Sequence, residues 1–181
     1  MYPIFRMAKE IAIHWHAKPL GFFETHVSHH ICWPWDLDFW MELNNGRTLT
    51  MFDLGRVPHS MRIGIIGLVR KKGWGMAVAG VSVRYRKRVR AFHKVEMRTS
   101  LLGWDERFVY MEQSLWRKGQ CTGHMLLRAA VTDKNGLVAP ERVPEAMGIQ
   151  IESPPLPSWA KAWIDAEATR PWPPEPNPHD S

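Results

Sequence analysis

The densest chemistry in the chain lies between residues 36 and 56, where Asp36, Asp38, Glu42, Asn44, Asn45, Arg47, Asp53 and Arg56 crowd around Gly46. Carboxylates in a loop that runs straight into a helix start suggest a site for carbonyl chemistry. A helix N-terminus offers unpaired N–H groups and the positive end of a dipole. Such groups polarise a carbonyl and hold an oxyanion, and a carboxylate beside them can act as general base or nucleophile. The plainer account of the same spacing is that Asp36 and Asp38 form turns while Asn44 or Asn45 merely caps the helix.

A second feature is electrostatic. Arg84, Arg86, Lys87, Arg88 and Arg90 form a basic run around Tyr85, and Lys71 and Lys72 extend it if the preceding helix ends nearby. The plain reading is a solvated strand end. The functional readings are capture of a phosphate-bearing ligand or contact with a nucleic-acid backbone. Nucleic acid is not the expected partner, because no groove-reading element accompanies the run.

The histidines are a third feature. His26, His29 and His30 lie on one expected strand, with His14 and His16 upstream. Strand geometry puts His26 and His30 on one face with Ser28 and turns His29 away. A metal site needs more ligands than these, so solvated or interface histidines are expected, and neither metal nor cofactor. The sequence has no G-x-S-x-G, no P-loop, no G-x-G-x-x-G and no Cys-x-x-Cys, which sets aside nucleophile elbows, nucleotide loops and zinc ribbons.

The elements that must position these residues follow from periodicity and breakers. A short amphipathic helix is expected over Phe5–His16, then a break at Lys18 to Gly21. Residues 23–33 read as a strand through Phe23, Val27, Ile31 and Trp33, ended by Pro34. A loop follows to residue 46. A helix entered at Asn44 or Asn45 carries Leu49, Phe52 and Leu54, is kinked or split at Pro58, and reaches about Lys72 before Gly73 closes it. The period then becomes two: strands are expected over 74–86, 92–102, 107–117 and 120–132. Lys118-Gly119 and Asn135-Gly136 are turns. A helical turn is expected over 140–148 and a helix over 156–169 around Trp159, Trp163 and Ile164. Five prolines in the last twelve residues make 170–181 a disordered tail. The divisions are therefore 1–22 as a lead-in, 23–150 as the main domain, 151–169 as a C-terminal helix, and 170–181 as the tail. Strand, long helix, then four strands is an α+β order, satisfied by one antiparallel sheet with the helix on its face.

Composition bounds the rest. The 181 residues suffice for one domain. The net charge of +6 and pI near 9.6 predict an anionic partner. Two cysteines make no disulfide framework. Arg6, Lys9, Glu10, His14 and His16 interrupt any apolar leader, and no run is long enough to span a membrane. A cytoplasmic protein is expected.

The stretch from Trp35 to Arg47, with Asp36, Asp38 and Asn44-Asn45-Gly46-Arg47, resembles the D-x-D-x-x-x-H-x-N-N motif of hotdog-fold acyl-CoA thioesterases. Met51 to Arg56 resembles the Met-x-Asp-Leu-Gly-Arg of the hydroxybenzoyl-CoA thioesterase-like branch. The similarity runs over about 24–148. It implies an antiparallel sheet wrapped around a long central helix, a homodimer or dimer of dimers, and a thioester substrate, acyl-CoA or acyl carrier protein. It implies Asp38 as catalytic carboxylate with Asn45 beside it, and Asp53 as an alternative on the helix. Eight residues separate Asn45 from Asp53, about 12 Å of helix, so one subunit does not readily aim both at one atom. The resemblance also gives Arg84, Arg86, Lys87, Arg88 and Arg90 the phosphates of coenzyme A, or an acidic carrier, as partner; Asn44, Gly46 and Arg47 join the binding candidates. The branch's Gly-His is Met41-Glu42 here. Glu42 either replaces the missing histidine as a base or marks a module that binds acyl thioesters, or a protein, without cleaving them.

Overall fold

Alternating apolar residues after residue 75 build the sheet. The computed structural model describes residues 2–175, and its strands are β1 (His26–Ile31), β2 (Gly75–Tyr85), β3 (Lys94–Trp104), β4 (Val109–Arg117), β5 (Gln120–Asp133) and β6 (Gly136–Val138). All pairings are antiparallel, in the order β1-β3-β4-β5-β2, with β6 paired to β5. The β4–β5 hairpin turns at Lys118 and Gly119, both with positive φ, as a tight twisted hairpin requires. β1 and β2 form the two outer edges of this path.

Helices fill both faces. α2 (Asn45–Arg62) is the long element. Asn44 caps it, its side-chain oxygen accepting from the N–H groups of Gly46 at 2.9 Å and Arg47 at 3.2 Å. Its buried stripe includes Met51, Phe52 and Leu54, which join Met97, Met111, Leu115 and Leu127 of the sheet in the main core. Leu49, expected in that stripe, is exposed. The helix lies on β3 at Gly55. A Cβ there would come within 2.7 Å of the Thr99 hydroxyl and 2.5 Å of the Met97 sulfur, so only glycine permits this approach. α5 (Ser158–Ala168) covers part of the opposite face, where Ala160, Trp163 and Ile164 meet Tyr110 and Leu126. Tyr110 and Leu126 are the outward partners of Met111 and Leu127, as strand alternation demands.

α1 (Ile4–His14) packs on α2, and α3 (Ile65–Lys72) follows α2. Residues 142–146 form a short α4 (Arg142–Ala146). Pro58 does not split the central helix: α2 runs through it to Arg62, and the break falls at Gly64, whose φ of 83° turns the chain left-handed. Proline removes one helix bond and bends the axis, whereas a left-handed residue redirects the chain.

β1 is shorter than expected and faces the other way. His26, Ser28 and His30 point inward, while Val27 is exposed. The expected solvated or interface histidines are therefore corrected at these two positions. Arg62 donates to His26 Nδ1 at 3.0 Å, and His30 Nε2 lies 2.9 Å from the Ser28 hydroxyl. Both rings sit under α1 and α2, whose packing encloses them. Among the described residues no helix is long and apolar enough to cross a membrane. The final part of the proline-rich tail, 176–181, lies outside the described residues.

Candidate active site

The loop before α2 is a small hairpin. Leu37 bridges Leu43, Asp38 N–H donates to the Glu42 carbonyl at 2.9 Å, and Met41 takes a φ of 57° at the bend. The two aspartates of this loop have separate fates. Asp36 is fully buried. One of its oxygens accepts from Arg6 at 2.8 Å and from the Trp33 N–H at 3.0 Å; the other accepts from Arg47 at 2.7 and 3.1 Å. It ties α1, the loop and the first turn of α2 together.

Asp38 remains at the surface of a cavity. Its Oδ1 accepts from the Trp40 N–H at 2.8 Å and more loosely from the Glu42 N–H at 3.5 Å. Its Oδ2 has no protein donor among the described residues. The cavity measures about 310 Å³ and is bounded by Asp38, Glu42, Asn45 and Thr48 on one side. Tyr85, Lys87 and Arg88 bound it on the other, with Leu115 and Thr122 from β4 and β5 behind. Arg88 reaches Glu42 at 3.3 Å. The basic segment is held here because Arg86 and Lys87 N–H groups donate to the Thr122 carbonyl, and Leu43 N–H donates to that of Val89. Burial pushes the Tyr85 phenol above its ordinary value.

The structure thus brings Asp38, Glu42, Asn45 and Arg88 to one place and leaves other candidates elsewhere. Asp53 is not on the cavity; it is paired with Arg56, which also reaches the Gln113 side chain at 3.3 Å. Asn44 is the helix cap, Gly46 N–H is taken by that cap, and Arg47 is engaged by Asp36. The cap leaves out the Asn45 N–H, the first of the helix. Arg84 and Arg86 are exposed and do not border the cavity. Thr48, Tyr85 and Thr122 were not among the sequence candidates. No local signal marks them, because strand pairing brings Thr122 to the helix start from 77 residues away along the chain.

A larger groove of about 810 Å³ is bordered by Glu141, Glu145, Glu152 and Trp104. Its carboxylates repel phosphate, and it lies away from the loop chemistry. Among the described residues no group of three or more His, Cys, Asp or Glu side chains is arranged to hold a metal ion.

An antiparallel sheet curled around a long helix is the hotdog fold. The chain belongs to the thioesterase-like superfamily, whose family model matches residues 32–164. It is 33% identical over 133 residues to Protein THEM6 of Xenopus laevis, a match covering 72% of this chain and 63% of that protein. The chain thus spans less than two thirds of that relative's length. Among solved structures it resembles the Escherichia coli probable thioesterase YbaW, with a TM-score of 0.63 at 16% identity, covering 67% of this chain and 96% of that one. It also resembles the DHNA-CoA thioesterase of Staphylococcus aureus, with a TM-score of 0.60 at 15% identity, covering 80% and 91%.

Proposed function

We propose that the protein hydrolyses the thioester of an acyl-CoA or of an acyl carrier protein, with Asp38 as the catalytic carboxylate. The observation that carries this is the shared cavity of Asp38, Glu42 and Asn45, rimmed by Lys87 and Arg88. The thioester carbonyl oxygen sits at the start of α2, where the Asn45 N–H and the helix dipole stabilise the oxyanion. Asp38 Oδ2 attacks the carbonyl carbon or takes a proton from the attacking water, while Oδ1 stays held by the loop N–H groups. The carbon–sulfur bond breaks: by the base route the proton taken by Asp38 passes to the departing thiolate, and by the nucleophile route the thiolate takes a proton from solvent and a water then hydrolyses the aspartyl anhydride, releasing the acid and restoring Asp38. Lys87 and Arg88 meet the phosphates of coenzyme A or the acidic surface of a carrier. The ion pair of Asp53 with Arg56, away from the cavity, supports Asp38 over Asp53.

The working unit is a homodimer, or a dimer of dimers, joined through the outer strand β2. That strand presents an unpaired edge with exposed Val78 and Val81. Light scattering after size exclusion tests this; a monomer at assay concentration refutes it.

Thiol release followed across a panel of acyl-CoAs, aryl-CoA included, tests the hydrolase reading. The expected result is turnover on at least one substrate. The second reading, an acyl-thioester-binding module without hydrolysis, is favoured by the Glu42–Arg88 ion pair, which engages the carboxylate at the position of the missing histidine. It expects thermal stabilisation by the same ligands with no thiol release above the buffer rate.

A further inference from the structure

Helix α1 turns Arg6 and Glu10 inward beside the buried Met7, and leaves a second apolar stripe facing outward. Toward the body it presents Arg6, bonded to Asp36 at 2.8 Å and to the Ile31 carbonyl at 3.1 Å, and Glu10, buried beside His30 and His14. Toward solvent, Ile4, Phe5, Ala8, Ala12 and Trp15 fall within one stripe at helical spacing. Phe5 is 91% exposed and Trp15 66%. No acidic residue lies on this stripe. Tertiary packing of an apolar face is what holds a surface helix in place, and this outward stripe takes no part in it.

The apolar surface continues beyond the helix. Phe5 forms one wall of a depression of about 550 Å³, and Trp33 forms another. Trp33 stacks on Trp35 at 5.3 Å and meets Phe92 edge-on at 6.0 Å. Phe92 is exposed and takes a φ of 61°, its N–H held by the Cys32 carbonyl at 2.6 Å. Cations border the same depression. Lys9 and Lys94 line the depression, and Arg90 lies two residues from Phe92. The nearby carboxylates are already paired: Glu10, which lines the depression, with Lys9 at 3.4 Å, Asp36 with Arg6 and Arg47, and Glu96 with Arg98 at 2.7 Å; the Lys9 ammonium stays largely exposed.

We propose that this face docks the protein on an anionic lipid surface. α1 lies in the headgroup layer with Phe5 and Trp15 among the upper acyl carbons, and Lys9, Arg90 and Lys94 meet lipid phosphates. Aromatic side chains and cations side by side are the chemistry of that layer, apolar below and negatively charged above. The same face of a second copy complements it poorly, because packed face to face it sets Lys9 and Lys94 against their own copies. The face also neighbours β1, at the edge of the sheet opposite β2, so the dimer proposed above leaves it open.

The test is flotation of the full chain with vesicles of phosphatidylcholine alone and of phosphatidylcholine mixed with phosphatidylglycerol. Wild type is expected to float with the mixed vesicles, to do so less as salt is raised, and not to float with phosphatidylcholine alone. Replacing Phe5→Ser and Trp15→Ser together is expected to weaken binding at least about tenfold. Replacing Lys9→Gln and Lys94→Gln is expected to flatten the salt dependence. Circular dichroism and thermal unfolding check that both variants fold. No flotation of wild type on mixed vesicles overturns the proposal. So does flotation unchanged by the Phe5 and Trp15 replacements, or a drop in solution mass on making them, which assigns the face to a second copy. The readout involves no thioester turnover, so its failure is separate from failure of the hydrolase reading.

Discussion

Arg47 grips Asp36 with two nitrogens on one carboxylate oxygen, Nη2 at 2.7 Å and Nε at 3.1 Å, while Arg6 of the N-terminal helix holds the other oxygen. Asp36 is thereby occupied in holding structure, while the next carboxylate of the loop, Asp38, borders the cavity with an Oδ2 that accepts from no donor among the described residues. Two aspartates two residues apart differ in their surroundings because one is buried between two arginines and the other borders the cavity.

Replacing Asp36→Asn removes the charge that two guanidinium groups share in a buried place. The expected loss is about 3–5 kcal/mol of stability, the range for breaking a buried ion pair from one side. Urea denaturation measures it; a loss within error of zero would show that the clamp does not hold α1 and α2 together.

Replacing Asp38→Asn keeps the side-chain oxygen that accepts from the Trp40 N–H, so the melting temperature is expected to stay near that of wild type. Turnover is expected to fall by about 10²–10⁴, the contribution of a general base. Asp53→Asn is expected to leave turnover within about threefold of wild type, as its partner is Arg56 and not the cavity. Side-by-side thiol-release assays decide between them, and loss in the Asp53 variant alone moves the role to the helix.

Replacing Gly55→Ala forces a methyl group against the Thr99 hydroxyl and the Met97 sulfur. Overpacking of this kind costs about 1–3 kcal/mol. The Thr99 hydroxyl also accepts from the Gln113 side chain at 2.9 Å, so the pair cannot move apart without disturbing that bond. Denaturation midpoints with an unchanged slope are the expected signature.

Acid is expected to destabilise the fold in a particular window. Burial, aided by the charges of His14 and Arg62, lowers His26 to about 3, and burial with Arg6 and Lys9 lowers His30 to about 3. Burial, opposed in part by the Glu24 backbone, lowers His59 to about 4. The unfolded chain protonates these rings near 6.5 while the folded chain does not, so the unfolded state binds more protons between those values. Stability therefore falls as pH drops from 6.5 toward 4. Melting temperature against pH measures this, and His26→Gln is expected to flatten the slope. A slope unchanged in that variant would take His26 out of the account and leave the acid sensitivity to His30, His59 and the carboxylates.

Much of this protein was legible in its residues. The switch from helical spacing to alternation near Gly73, the hairpin at Lys118-Gly119 and the Asn cap before α2 are local signals. Each reflects backbone preferences acting within a few residues. The loop motif from Asp36 to Arg47 likewise carried the hotdog resemblance, because capping and turn chemistry are written in neighbouring positions. The position of the helix break was decided by which residue, Pro58 or Gly64, had to turn left-handed to seat α3. The inward face of β1 was decided by α1 and α2 closing over His26 and His30, so a Val27 that looked like core faces solvent. The sequence showed carboxylates before a helix, but only tertiary structure sorted them. Asp36 met two arginines from distant segments, Asp53 met Arg56 on its own helix, and Asp38 met a cavity whose far wall comes from β4, β5 and the loop after β2. Local chain chemistry determines which elements form. Which carboxylate is free depends on long-range packing, and the cations that settled it for Asp36 lie 30 residues upstream and 11 downstream along the chain.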